Sequence, residues 1–288
     1  MNKAEILNKI RMETKRGELV FPTSVRKAIE VKKILDDPAC DLDAAARLIK
    51  SDPLLSARVV AVANSSAFNR SKKAITNVPA AITLLGLFLV KSLILGIAVR
   101  QIAESATTAK RELIAQLWKH SAYVGSIAQV IARRITKHDP ETALFAGMIH
   151  EICWFYLLFR TKDYPDLFEG DISSLWNKDD EIDNEGEFVG EIEVGALLLK
   201  ALSIPDSIID TIAFVWRGYQ TFPPTSLGSV LLIANQLAPI QSPFTLPIYQ
   251  TNQDQSVKLD LFFKDYSLSE ILVESEEEVD SLTNALCL

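Results

Sequence analysis

An all-α fold is what the sequence predicts, and two observations predict it. Leu, Ile and Ala are abundant while Gly (11) and Pro (12) are sparse among 288 residues, a composition that favours helix over strand. Segment after segment then places apolar residues at helical spacing behind Asp, Ser or Pro start signals. A chain of this length can bury a real core, as one large or two small domains.

The elements follow in order. Val25 to Leu35 form an amphipathic helix that ends at the Asp37-Pro38 turn. Asp41 caps a second helix, which buries Leu42, Ala45, Ala46 and Ile49 along one face. Asp52 caps a third, with Pro53 at its first position and Leu55, Val59, Val62 and Ala63 as its stripe, until "NSSAFNR" breaks it. Pro79 opens a helix through "AAITLL". Gly86 separates that from a strongly apolar helix over about Leu87 to Ala103, which must be covered on nearly all sides. "SATTAK" is a short turn between two subdomains.

Residues 111 to 135 make one long helix carrying Trp118, His120, Tyr123, Ile127 and Ile131, and Asp139-Pro140-Glu141 caps the helix that holds His150. From Asp171 to Glu193 nine Asp or Glu residues stand against one Lys, the composition of a solvated loop and an exposed helix face. "VGALLLKAL" resumes the core. Pro205 starts a helix through Ile208, Ile209, Ile212 and Phe214, and another apolar helix covers about Ser226 to Leu237. From Gln241 the chain reads as a loose connection, then a last amphipathic piece near Leu259 to Leu272 and the acidic "ESEEEVDS".

A net charge of -7 and a pI near 5.2 repel a phosphate backbone, so no nucleic-acid partner is expected. The short basic groups Arg70, Lys72, Lys73 and Arg133, Arg134, Lys137 are expected to face solvent. Cys40, Cys153 and Cys287 have no paired spacing, which fits a reducing compartment; Cys153 reads as a small core residue. The first residues contain no apolar signal segment, so a cytoplasmic protein is expected. The run from Ala80 to Val99 approaches the length of a membrane span but carries Lys91 at its middle, which favours a buried core helix over membrane insertion.

Several segments together carry a family likeness: "ILDDPACDLDAAARLIKSDPLLSARVVAVANSSAF", "AITLLGLFLVKSLILGIAV", "LWKHSAYVGSIAQVIA", "ALFAGMIHEIC" and "VGALLLKALSIPDSIIDTIA". From about Phe21 to Gly218 the chain resembles the HDOD family, bacterial signalling output domains related to metal-dependent HD phosphohydrolases. The resemblance implies a multi-helix bundle in which an N-terminal helical subdomain packs on an HD-like helical subdomain, and a role in signal transduction. It divides the chain into an N-terminal helical extension (1–20), the HDOD domain (21–218, split near 106/107) and a C-terminal helical extension with an acidic tail (219–288). The departures bear on chemistry. An HD enzyme has an adjacent His-Asp pair where this chain has His150-Glu151. Related sequences often have a histidine ahead of the "VGALLL" helix, where this chain has Glu191, and consecutive histidines where it has Phe214, Val215 and Trp216.

An HD-type hydrolase needs imidazole and carboxylate donors converging on one or two ions that polarise a phosphoryl group. Only three histidines exist, His120, His138 and His150, so a histidine-rich binuclear centre cannot be assembled. His120, His150, Glu151 and Glu191 could on paper still make a mononuclear site of two histidines and a carboxylate. Adjacent residues on a helix, however, point about 100° apart, which works against His150 and Glu151 meeting at one ion. The favoured expectation is that His120 and His150 are partly buried helix residues bonded to each other, to Glu151 or to a carbonyl, with no metal, no cofactor and no catalysis. His138 is expected to be a solvated loop residue. Asn64 in "NSSAF" is expected to serve as a left-handed helix cap rather than a ligand contact. No GxGxxG, P-loop, GxSxG or HExxH pattern occurs.

The resulting expectation is a non-enzymatic regulatory protein that contacts an unidentified signalling protein. Its degenerate pocket, formed by His120, His150, Glu151 and Glu191, would bind a small molecule or nucleotide. Two alternatives stay open: a residual metal-dependent phosphohydrolase using His120, His150 and Glu151, and a scaffold module whose acidic segment Asp171 to Glu193 docks a basic partner.

Overall fold

The computed structural model describes residues 3–104, 110–168, 190–217, 225–244 and 268–288, and among these the regular structure is entirely helical. The turn "SATTAK" up to residue 109, the acidic stretch 171–189 and the piece 259–267 lie outside the described residues.

Helix α1 (Lys3–Lys15) precedes α2 (Thr23–Leu35), α3 (Leu42–Lys50) and α4 (Pro53–Asn64). The predicted caps are made: Asp41 Oδ1 accepts from Ala44 N at 2.7 Å, and Asp52 Oδ1 accepts from Leu54 N at 2.8 Å and Leu55 N at 3.1 Å. Each is worth about 1 kcal/mol. Leu42 departs from the predicted buried stripe. At the first position of α3 it is half exposed, while Ala45, Ala46 and Ile49 are buried. Asn64 is structural, though not through a left-handed cap, because the cap residue Ser65 is extended (φ -64°, ψ 150°). Its side chain instead holds the next loop, accepting from Ile75 N (2.8 Å) and donating to Ile75 O (2.7 Å) and Val60 O (2.9 Å).

Helix α5 (Val78–Glu104) breaks where the sequence places the break, at Gly86, whose φ of 79° and ψ of 159° suit only glycine. No atom lies within 4 Å of a Cβ built there, so the penalty of a side chain is conformational rather than steric. Gly86→Ala is expected to lower stability by about 1–3 kcal/mol, read as a lower urea midpoint at unchanged m-value. Helix α5 packs against α2, α3 and α4. Lys91, the charge inside its apolar run, reaches Asp36 at the end of α2 (3.1 Å). Paired with Lys32 and Lys91, the Asp36 carboxyl sits below its usual range, although burial opposes this.

The second part begins with α6 (Arg111–Ile131), whose last turn widens into a π-helix over Ala132–Thr136, followed by α7 (Pro140–Ile149) and α8 (Ile152–Arg160). Asp139 caps α7 through Thr142 N at 2.6 Å. Helices α9 (Gly190–Ala201), α10 (Asp206–Arg217) and α11 (Leu227–Leu237) complete this bundle, with α11 packed on both α6 and α10. Two stretches are long and apolar enough to cross a membrane, Val78–Ile102 and Pro140–Arg160. Their most apolar windows are 67% and 94% buried inside the fold, as core helices are.

The acidic "ESEEEVDS" is helical: it spans the end of α12 (Leu268–Glu274) and the start of α13 (Glu276–Cys287). Val279, Leu282, Ala285 and Leu286 of α13 are buried against α6 and α4. The acidic residues of the two helices pair with the supposedly solvent-facing basic group: Arg133 with Glu278 of α13, and Arg134 with Glu274 of α12 at 2.6 Å. At the far end of α13, Leu286 O accepts from Arg58 Nη1 of α4 (2.9 Å) and Trp118 Nε1 of α6 (3.0 Å). Helix α1 is tied down similarly. Glu13 pairs with the buried Arg160 (2.8 Å), and Lys15 with Glu193 of α9 (2.6 Å).

Candidate functional site

Glycine sets the spacing on which the site depends. Helices α6 and α7 cross at Gly125 and Gly147, so closely that a Cβ on Gly147 would lie 2.4 Å from Gly125 Cα. This crossing brings His120, on α6, up to the end of α7. His150 closes α7 and Glu151 precedes α8, so the pair occupies a two-residue break between helices. Glu151 has left helical geometry (φ -94°, ψ 18°). That break overturns the expectation that the two side chains diverge. Nε2 of His120 and Nε2 of His150 lie 3.8 and 3.6 Å from Glu151 Oε1, and one donor atom from each of the three residues lies within 4.8 Å of the others.

All three residues are buried, His120 at 1%, His150 at 2% and Glu151 at 9% exposure. His120 Nδ1 donates to Ile240 O and His150 Nδ1 to Gly147 O, each at 2.7 Å. A ring whose Nδ1 carries the proton presents a bare Nε2 when neutral. Both Nε2 atoms face Oδ1 of Asn235, at 2.9 and 3.3 Å. Burial pushes His150 down to about 4. Burial also lowers His120, helped by the neighbouring His150 and opposed by Glu151. Burial raises Glu151, against the pull of His120 and a hydrogen bond with Ser242.

Asn235 was missed from the sequence. Its one signal is an amide within the apolar helix "LGSVLLIANQL", a helix that the likeness quoted from the sequence does not reach. Of the three kinds of partner the sequence allowed, both histidines take a carbonyl; their rings stand 5.5 Å apart, with Asn235 Oδ1 facing both Nε2 atoms.

The chain after α11 roofs the cluster. Besides Ile240 and Ser242, Gln116 Nε2 holds Gln241 O at 3.0 Å, and Phe244 stacks on Trp154 with ring centroids 4.6 Å apart. Trp216 donates from Nε1 to His150 O (2.9 Å) and lies over Gly195. Glu191 is in the first turn of α9, but its side chain lies outside the described residues. His138 is half-buried rather than solvated, with Nδ1 shielded from solvent.

Two imidazoles, a carboxylate and an amide oxygen fit one divalent ion, because ligands of a shared first-row ion at about 2.0–2.2 Å stand roughly 3–4 Å apart. Among the described residues no donor set for a second ion accompanies them.

A model of the HDOD domain matches residues 21–217. The chain belongs to the HDOD family. Solved structures of similar fold include a protein from Shewanella amazonensis SB2B, provisionally named a metal-dependent phosphohydrolase, at 20% identity and TM-score 0.73 over 99% of both chains. An HDOD domain protein with unknown function from Geobacter sulfurreducens is 22% identical with TM-score 0.63 over 98% of both chains. A protein from Marinobacter aquaeolei VT8, provisionally named a signal transduction protein, is 16% identical with TM-score 0.55 over 94% of this chain and 60% of its own. Likeness at these identities establishes the shared fold. No curated protein matches the chain.

Proposed function

We propose that this HDOD protein is a non-enzymatic regulator in the cytoplasm, which transmits a signal by contact with another signalling protein. The observation that carries the proposal is closure. The His120, His150 and Glu151 side chains are buried, and Ile240, Ser242 and Asn235 take up their polar contacts. Hydrolysis at a metal needs an open coordination position and a path to it. A small ligand such as a nucleotide would bind where the roof over residues 238–244 now lies, and would shift the packing of the two helical parts if it preferred one arrangement.

The test combines thermal-shift screening against nucleotides and cyclic dinucleotides with cross-linked pull-downs from the host. A ligand that raises Tm, or a partner whose capture weakens when Phe244→Ala loosens the roof, supports the proposal. Neither a ligand nor a partner would remove it. Convergence of the three donors favours a second reading, a residual phosphohydrolase. Turnover of phosphomonoesters or phosphodiesters with added Mn²⁺ that disappears in His150→Ala would establish that instead.

A further inference from the structure

The two C-terminal helices close one side of the bundle and leave an open groove beside it. Its volume is about 300 Å³, the size of a site for a ligand or a short peptide segment rather than for a water. Ile127 of α6, Leu237 at the end of α11, Leu272 of α12 and Val279 of α13 form an apolar floor. Val273 stands at its edge with 71% of its surface exposed, the largest value for a large apolar residue within the described helices. A lone exposed valine is ordinary, but one set beside an open apolar floor marks a contact surface.

The acidic residues of α12 and α13 divide between two sides. Glu274 and Glu278 face the end of α6 and pair with Arg134 and Arg133. Glu276 and Asp280 line the groove, and among the described residues neither has a cationic partner; Asp280 accepts only from the Tyr123 hydroxyl, at 3.2 Å.

We propose that this groove docks an amphipathic helix of a partner protein, one whose apolar stripe is flanked by Lys or Arg. The inference rests on the regulatory reading above and gives its protein contact a place and a chemistry. Apolar side chains at helical spacing would fill the floor, and basic ones would meet Glu276 and Asp280 at the rim. The chain's net charge of -7 also speeds encounter with a basic partner. A second copy fits worse, because a two-fold contact here would set the acidic rims against each other. Helices α12 and α13 lie outside the span 21–217 matched to the family, so most of this surface belongs to the chain's extension. Pro239, in the groove wall, adjoins Ile240, whose carbonyl accepts from His120 Nδ1; a seated helix would therefore press on the chain that roofs the histidine cluster.

The experiment uses the full chain and, as probe, a fluorescein-labelled peptide of about 15 residues with Leu on one helical face and Lys on the other, read by fluorescence anisotropy. Saturable binding that weakens with added salt is expected, and none with a peptide carrying Glu in place of Lys. Val273→Asp is expected to weaken binding at least about tenfold. Glu276→Gln combined with Asp280→Asn is expected to remove most of the salt dependence. All three positions are exposed, and an unchanged Tm shows that the variants fold.

A probe that binds both variants as it binds the wild type overturns the proposal. So does binding that appears only after Lys258 and Lys264 are changed to Glu, which assigns the groove to the chain's own segment. A dimer that Val273→Asp dissociates overturns it too, by assigning the groove to a second copy. The regulatory reading is judged apart, by capture of a host protein: a captured partner indifferent to Val273→Asp leaves that reading standing and removes the groove as its docking site.

Discussion

Gly147→Ala is expected to cost roughly 3 kcal/mol or more, among the largest effects of any single methyl group in the molecule. The added Cβ would sit 2.4 Å from Gly125 Cα, 2.5 Å from Gly125 N and 3.0 Å from the Val124 carbonyl carbon, all backbone atoms of α6 that cannot rotate aside. Relief requires α6 and α7 to separate, and their separation would pull Gly147 O, the acceptor for His150 Nδ1, away from its place. Both stability and the cluster should therefore suffer together. Gly96→Ala is the control, since its nearest contact would be the end of the flexible Met148 side chain, at 3.0 Å, and it is expected to cost less than about 1 kcal/mol. Urea denaturation of the two variants checks the contrast, and a Gly147→Ala protein within 1 kcal/mol of wild type would refute the account of the crossing.

Acid lability is the second large effect. His150 titrates at about 4 in the folded, metal-free protein against 6.5 for an ordinary histidine, so between these values the unfolded chain binds the extra proton. Stability from this group is complete above pH 6.5 and is lost as pH falls toward 4, by on the order of 3 kcal/mol. His120 is shifted in the same direction. Glu151 acts oppositely. Its raised carboxyl favours the folded state while protonated, and that contribution is lost as pH rises through its folded value. The comparison that isolates His150 is therefore between wild type and His150→Asn, in EDTA, from pH 4 to 7. The variant starts less stable but should lose markedly less stability on acidification. Parallel pH profiles would sink the assignment.

Legibility from the sequence followed the range over which each determinant acts. Caps and helix breaks are local, and Asp41, Asp52, Asp139 and Gly86 all stand where the sequence placed them. Leu42 misled because a helical stripe does not register that a first-turn residue can project beyond the packed face. His150 and Glu151 misled for a related reason. Angular separation along a continuous helix was the basis for keeping them apart, whereas a two-residue break between α7 and α8 redirects both. Asn235 was invisible because its meaning depends on residues 115 and 85 positions away. The pairing of Arg133 with α13 and of Arg134 with the end of α12 was hidden similarly: each charge looks solvated until the partner helix is in place.

The double acceptor at Leu286 bears on what counts as a cooperative unit in this protein. One carbonyl near the end of α13 satisfies a buried guanidinium from the first half of the family domain and a buried indole from the second. A fragment cut at residue 217, where the family match stops, would remove the carbonyl that Arg58 and Trp118 share, leave the buried Trp118 indole N–H without that acceptor, and uncover the surface that Leu282 and Leu286 seal. Such a fragment is expected to express as an aggregating or loosely packed species, so the boundary drawn by sequence kinship is narrower than the one drawn by folding.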